Sequence, residues 1–401
     1  MRILLVADGR SVITRRWIDG LLALGYEVCL ISTFPCHPLD GVKLAGILPV
    51  AFSALSGSQV EITGRKENRP AHKSPLTLLR PFLQTARYYL GPLTLPLYAA
   101  QFRQMIESAQ PDLVHALRIP FEGMLASYLP DGLKLVISTW GNDLTLHAHG
   151  SWLMAHYTHC ALQRADALMS DTQRDIQLAK KWGLDPASPV LLLPGNGGID
   201  LQEIERIHAR LASPPDYLPS DGPLIINPRG FRPGSVHQET FFQAIPLVLR
   251  EFPSAQFVCT AMQGQTEAHN WVKKLGIEDN VTLLPYLEQA ALWDLFMRSQ
   301  VYVSLSSHDG TPNTLLEAMA CGAFPVCGDI DSIREWITNG ENGFLVDPLD
   351  PEKAAMAIIT ALHNEQLRKK AASQNKKITG KRAALAFVRR QMDQFYKQLL
   401  R

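Results

Sequence analysis

The chain has no surplus of charge of either sign: 39 basic residues face 38 acidic ones over 401 residues. That balance gives no broad electrostatic grip on a polyanion, so nucleic acid is not an expected partner. No apolar run approaches the ~20 residues that a bilayer-spanning helix needs. The start has only five apolar residues between Arg2 and Asp8, which reads as a strand rather than a secretory leader. The six cysteines show no CxxC spacing, so neither a zinc site nor a disulfide framework is expected, and a reducing cytosol is. A complete Gly-x-Gly-x-x-Gly turn is also missing, which argues against a dinucleotide-dependent dehydrogenase.

Short apolar runs alternate with helix-period segments, the pattern of βαβ units and parallel sheets. Strands are expected at 2–7, 26–32, 112–115, 134–139, 166–170 and 190–193, and again at 224–227, 256–260, 281–284, 301–305, 324–327 and 344–346. Between the two series lies a Gly- and Pro-rich stretch enclosing one helical piece, 201–211, which reads as an interdomain connection. At this length two domains are the default. The division expected is 1–198, a connection at 199–222, a second domain at 223–380 and a terminal helical segment at 381–401.

The most informative stretch is Ser304–Val326. An apolar strand leads into a loop with Asp309 and Gly310, then a helix that carries Glu317, with seven residues between it and Asp309. Strand, Gly-containing turn and helix N-terminus make an anion site, because free backbone N–H groups and the helix dipole point at the turn. The N–H groups of Asn313, Thr314 and Leu315 are the candidates. A competing reading makes Thr314 an N-cap with Glu317 as its capping-box partner.

With its flanks, Leu-Glu-Ala-Met-Ala-Cys-Gly-Ala-Phe-Pro-Val, this stretch resembles the nucleotide-sugar glycosyltransferases of family 4. These are retaining enzymes of the GT-B type, with two Rossmann-like α/β domains facing an interdomain cleft and a last helix crossing back to the first domain. Asp309 stands where that family usually has Glu. The resemblance implies transfer of a sugar from a nucleoside-diphosphate sugar to an acceptor hydroxyl, with no permanently bound cofactor and no metal. Glu317 then holds the ribose and Asp309 the donor sugar. Arg229 matches the family's phosphate-binding Arg after the second domain's first strand. The Lys expected after it is absent, and Arg232 is the nearest replacement. Tyr286 resembles a residue of the loop bordering the base.

On the acceptor side, Gly9 lies in a loop that resembles the family's first-strand loop and allows close backbone approach. His115 matches the first His of a His-x-His strand end whose second position is Leu117; a lone strand-end His is more often structural than catalytic. Asp143, in Ser138-Thr-Trp-Gly-Asn-Asp, matches an acceptor-binding Asp or is a plain Asx-turn. His156 and His159 sit at i, i+3 with no third ligand in sight. Residues 61–106 are basic and aromatic, a composition that suits either peripheral contact with the inner face of a membrane or an ordinary packed helix pair. The acceptor is then a glycan, a lipid-linked molecule or a small molecule. A sugar-nucleotide epimerase and a non-catalytic sugar-nucleotide or glycan-binding subunit are the rival functions.

Overall fold

The computed structural model describes residues 1–55, 86–211, 218, 222–232 and 234–401. They form two compact units, Met1–Gly197 with Arg389–Arg401, and Gly198–Val388.

The first unit is built on a seven-stranded sheet in the order β3-β2-β1-β4-β5-β6-β7. Its strands are β1 Arg2–Ala7, β2 Glu27–Ser32, β3 Val42–Ile47, β4 Leu113–Ala116, β5 Lys134–Thr139, β6 Ala167–Ser170 and β7 Val190–Leu192. Every pairing is parallel. A parallel sheet is covered on both faces, so its central strands are apolar without alternation; Ile3, Leu4, Leu5 and Val6 are all fully buried. Strand β3 was not expected from the sequence. It is an edge strand of half-exposed residues, interrupted by Gly46, so it carries neither a buried run nor a clean alternation.

The second unit carries a six-stranded parallel sheet in the order β10-β9-β8-β11-β12-β13. The strands are β8 Leu224–Asn227, β9 Gln256–Cys259, β10 Val281–Leu283, β11 Val301–Ser304, β12 Phe324–Gly328 and β13 Phe344–Val346. Helix Gln238–Glu251 sends Phe241, Phe242, Ile245 and Val248 into one core. Helix Asn313–Cys321 sends Leu315, Leu316 and Met319 into another.

In each sheet the strand order reverses once, between β1 and β4 and between β8 and β11. Chains leaving the carboxyl ends of such a pair turn away from one another, and the crevice left there is where open α/β sheets bind ligands. The last helix, Leu385–Leu399, starts in the second unit and ends in the first. Its Val388, Met392, Phe395 and Tyr396 are buried, the spacing of one helical face.

Candidate functional site

At the β8/β11 reversal, Arg229 follows β8 and Asp309 follows β11. The loop after β8 is held from behind by buried Gln238. Its amide donates to the carbonyls of Arg229 (3.2 Å) and Gly230 (3.0 Å) and accepts from Asn227 Nδ2 at 2.7 Å. The two loops brace each other: His237 N–H donates to Leu305 O at 2.8 Å, and Ser307 N–H to Ser235 O at 2.9 Å. From the other side, Ser332 Oγ donates to Asp309 O at 2.8 Å and Trp336 Nε1 to Thr311 Oγ1 at 2.9 Å. A loop with that many fixed points is preorganised rather than adaptable.

Arg229 donates through Nη2 to Asp309 Oδ2, and the two side chains are 6% and 18% exposed. The Arg229 Nε is buried and without a hydrogen-bond partner among the described residues. Arg232 is exposed, and the like charge of Arg229 beside it, with some burial, pushes its guanidinium down. Two guanidinium groups that repel in this way are relieved by an anion between them.

Helix Asn313–Cys321 begins next to this pair, with Pro312 as its cap residue and no side-chain cap. Thr314 is therefore the second helical residue and not the N-cap; its hydroxyl shares a 3.0 Å hydrogen bond with Tyr302. The Leu315 N–H is already committed, to Pro312 O at 3.0 Å, which removes it from the free donors expected. Asn313 and Thr314 N–H groups have no acceptor among the described residues and point out of the helix start. Gly310 N–H is held by Asp309 Oδ1 at 3.0 Å. Glu317 is 3% exposed and accepts from Gln289 Nε2 at 3.0 Å. Tyr286 is 70% exposed.

Two glycines shape this site. Gly322, at φ +96°, ends the helix in the left-handed region and turns the chain into β12. At Gly328 a Cβ would lie 2.2 Å from Ser306 O, so only glycine lets β12 pass the loop that carries Asp309.

At the β1/β4 reversal a pocket of about 410 Å³ opens, lined by Asp8, Arg10, Phe34, Arg87, Tyr88, Arg118, Phe121, Glu122, Trp140 and His147 among others. Gly9 supports its floor: its N–H donates to Ser32 Oγ at 3.1 Å, and a Cβ there would meet Cys36 Sγ at 2.6 Å. Two expected acceptor residues lie elsewhere. His115 is fully buried, with Nδ1 2.6 Å from Tyr396 Oη and Nε2 2.8 Å from Ser138 Oγ. Burial pushes its pKa to about 3, which keeps the imidazole neutral at physiological pH. Asp143 is also fully buried. It accepts from Arg118 Nη2 at 2.8 Å, Ile119 N–H at 3.0 Å and Trp140 N–H at 3.1 Å. It is not among the lining residues itself but holds Arg118, which is.

The pocket residues Arg87, Glu122 and His147 were not singled out as a site in the sequence, because no motif links them and only the topology gathers them. Of the basic, aromatic stretch 61–106, residues 61–85 lie outside the described residues. In the remainder Phe102 is in the core, Tyr88 and Tyr98 pack against it, and Leu97 is exposed. His156 faces Cys160 and His159 faces Trp182 O, and among the described residues no three potential ligands gather into a metal site. A larger hollow of about 670 Å³ runs along β13 and helix Pro351–His363; neither Arg229 nor Asp309 lines it.

Two Rossmann-like parallel α/β units, each with its ligand crevice at the strand reversal, define the GT-B fold. Similarity to solved structures agrees. Sucrose-phosphate synthase from Thermosynechococcus elongatus superposes with TM-score 0.71 at 17% identity over 100% of this chain and 99% of the other. The Anabaena protein HepE, in complex with UDP-glucose, does so with TM-score 0.68 at 17% identity over 99% and 100%. The family model of the group 1 glycosyl transferases matches residues 219–378, and that of the glycosyl transferase 4-like domain matches residues 8–195. The chain belongs to the family 4 glycosyltransferases. D-inositol 3-phosphate glycosyltransferase 2 of Catenulispora acidiphila is 24% identical over 204 residues, 48% of this chain and 47% of that protein. The match spans about half the length of the curated relatives.

Proposed function

We propose that the protein is a retaining glycosyltransferase that moves a sugar from a nucleoside-diphosphate sugar to an acceptor hydroxyl. The observation that carries this reading is the Arg229 site. A buried guanidinium whose Nε has no partner among the described residues sits beside a helix start whose first two N–H groups have no acceptor among them either, at the strand reversal of the second unit. Charge builds on the diphosphate as the glycosidic bond to it breaks. Fixed donors in a partly dry site stabilise that charge more than water does, because they need no reorganisation. Arg229 and the Asn313 and Thr314 N–H groups would bind the diphosphate, with Arg232 at the open side. Glu317 would take the ribose hydroxyls, Asp309 the donor sugar, and Tyr286 would border the base. The UDP-glucose bound by the Anabaena protein is the same class of donor.

Retention is proposed to follow from attack on the face the diphosphate leaves, since Asp309 is held by Arg229 and not poised as a nucleophile. The six cysteines are all free thiols, which suits the cytoplasm. Peripheral membrane contact and a glycan, lipid-linked or small-molecule acceptor remain part of this proposal.

The test is transfer from a panel of nucleoside-diphosphate sugars, with the anomeric configuration of the product read by NMR. Turnover with retention is expected. Glu317→Gln should weaken nucleotide binding about tenfold, or about 1.4 kcal/mol, with little change in thermal midpoint because the amide oxygen can still accept from Gln289. Unchanged binding with a lowered midpoint would make Glu317 purely structural.

A further inference from the structure

The charges around the pocket of the first unit do not close. Asp8 is committed to Arg10, which grips it through Nε and Nη2 at 3.1 Å each. Asp143 has both oxygens occupied by Arg118 and two backbone N–H groups. Glu122 accepts from Thr33 Oγ1 at 2.9 Å, and its burial raises its pKa to about 7, so at neutral pH it supplies only part of a charge. The Tyr88 hydroxyl and His147 Nδ1 share a 2.7 Å hydrogen bond, and burial holds that imidazole neutral.

Arg87 is left over. Its guanidinium lies 4.8 Å from the Phe121 ring centroid and 5.7 Å from that of Phe34. Among the described residues it makes no ion pair, and its buried Nε has no hydrogen-bond partner. Cation–π contact offsets part of the cost of burying a charge, but it satisfies no N–H group. Arg118 adds a second buried Nε without a partner among the described residues in the same wall. The ring that faces Arg87 is held there at a backbone cost: Phe121 sits at φ 68°, ψ −43°, a conformation a non-glycine residue adopts only when its surroundings impose it.

We infer that this pocket takes the acceptor by an oxyanion, a phosphate or carboxylate seated on the guanidinium groups of Arg87 and Arg118. The inference rests on the glycosyltransferase reading only in calling the ligand an acceptor. The flat Phe34, Phe121 and Trp140 rings would flank the rest of the molecule, and the volume suits one the size of a sugar phosphate.

The test uses the full chain in phosphate-free buffer, with and without saturating UDP. Inositol 3-phosphate and glucose 6-phosphate are titrated beside inositol and glucose, and cosedimentation is measured with phosphatidylinositol–phosphatidylcholine vesicles. The phosphates should bind at least tenfold more tightly than their uncharged parents. Arg87→Gln should remove that advantage and leave UDP binding unchanged. Binding to vesicles alone, lost in Arg87→Gln, would place the same oxyanion on a lipid headgroup. Equal binding of charged and uncharged ligands, an unaffected Arg87→Gln protein, or no binding while UDP still binds would overturn the inference. If UDP and the other nucleotides fail to bind, the donor reading falls, and the phosphate titration still reports on this pocket. Should Arg87→Gln not fold, Arg87→Lys keeps the charge but loses the planar fork; it should bind the phosphates severalfold more weakly, and wild-type affinity would count against the assignment.

Discussion

Glu122 shows how one buried side chain sets a pH dependence. The residue is 3% exposed, and burial raises its pKa from 4.5 to about 7. The folded protein therefore binds a proton there that the unfolded chain releases between those values. The stabilising contribution is complete below pH 4.5 and is lost as pH rises to about 7. Glu122→Gln keeps an acceptor for Thr33 and removes the titration. The variant should gain stability over wild type between pH 5 and pH 8, on the order of 2–3 kcal/mol; urea unfolding at the two pH values would show it, and a difference independent of pH would refute it. At this scale the sequence was uneven. Arg229, Asp309 and Glu317 could be singled out because each sits in a recognisable local pattern. Arg87 and Glu122 stand in stretches without a motif, and the full burial of His115 and Asp143 is something a strand-end pattern does not report.

The elements explain why the Ala-Met-Ala-Cys-Gly motif is legible at all. Ala318 and Ala320 are small and buried in helix Asn313–Cys321, Met319 fills a core, and Gly322 supplies the left-handed turn into β12. Each of those residues has a packing reason, so the motif specifies a strand–loop–helix–strand unit as well as a site. Buried strands were readable as apolar runs, whereas the half-exposed edge strand β3 offered no such run. The loop that carries Asp309 depends on Gly328 in the neighbouring strand. Gly328→Ala would push a methyl group onto Ser306 O, 2.2 Å away, and shift that loop. We expect nucleotide binding and turnover to fall at least tenfold while the protein stays folded. Full activity in the alanine variant would show that the loop position is not critical.

Over the whole molecule, the chain closes its first unit with its own last residues. Tyr396 packs edge-on to His115 and hydrogen-bonds it, while Tyr26 bonds Asp393. Tyr396→Phe would leave His115 Nδ1 buried without a partner, at a cost of about 1–3 kcal/mol. His115 itself opposes acid: its pKa falls from 6.5 to about 3 on folding. The unfolded chain takes up the proton first, and stability drains as pH falls through that range. A lowered thermal midpoint for Tyr396→Phe at pH 7 is expected; an unchanged one would mean that the terminal helix adds little to the first unit. The alternation of strands and helices made the two-unit architecture readable, whereas this terminal anchoring depends on a His–Tyr pair 281 residues apart. The measurement that bears most directly on the donor site is calorimetric titration of UDP, GDP, ADP, dTDP and CDP into the wild-type protein and Arg229→Ala. One nucleotide should bind clearly better than the rest and lose about 100-fold in affinity in the variant, or about 2.7 kcal/mol. Equal affinity in both proteins, or no binding of any nucleotide to the folded chain, would contradict the account.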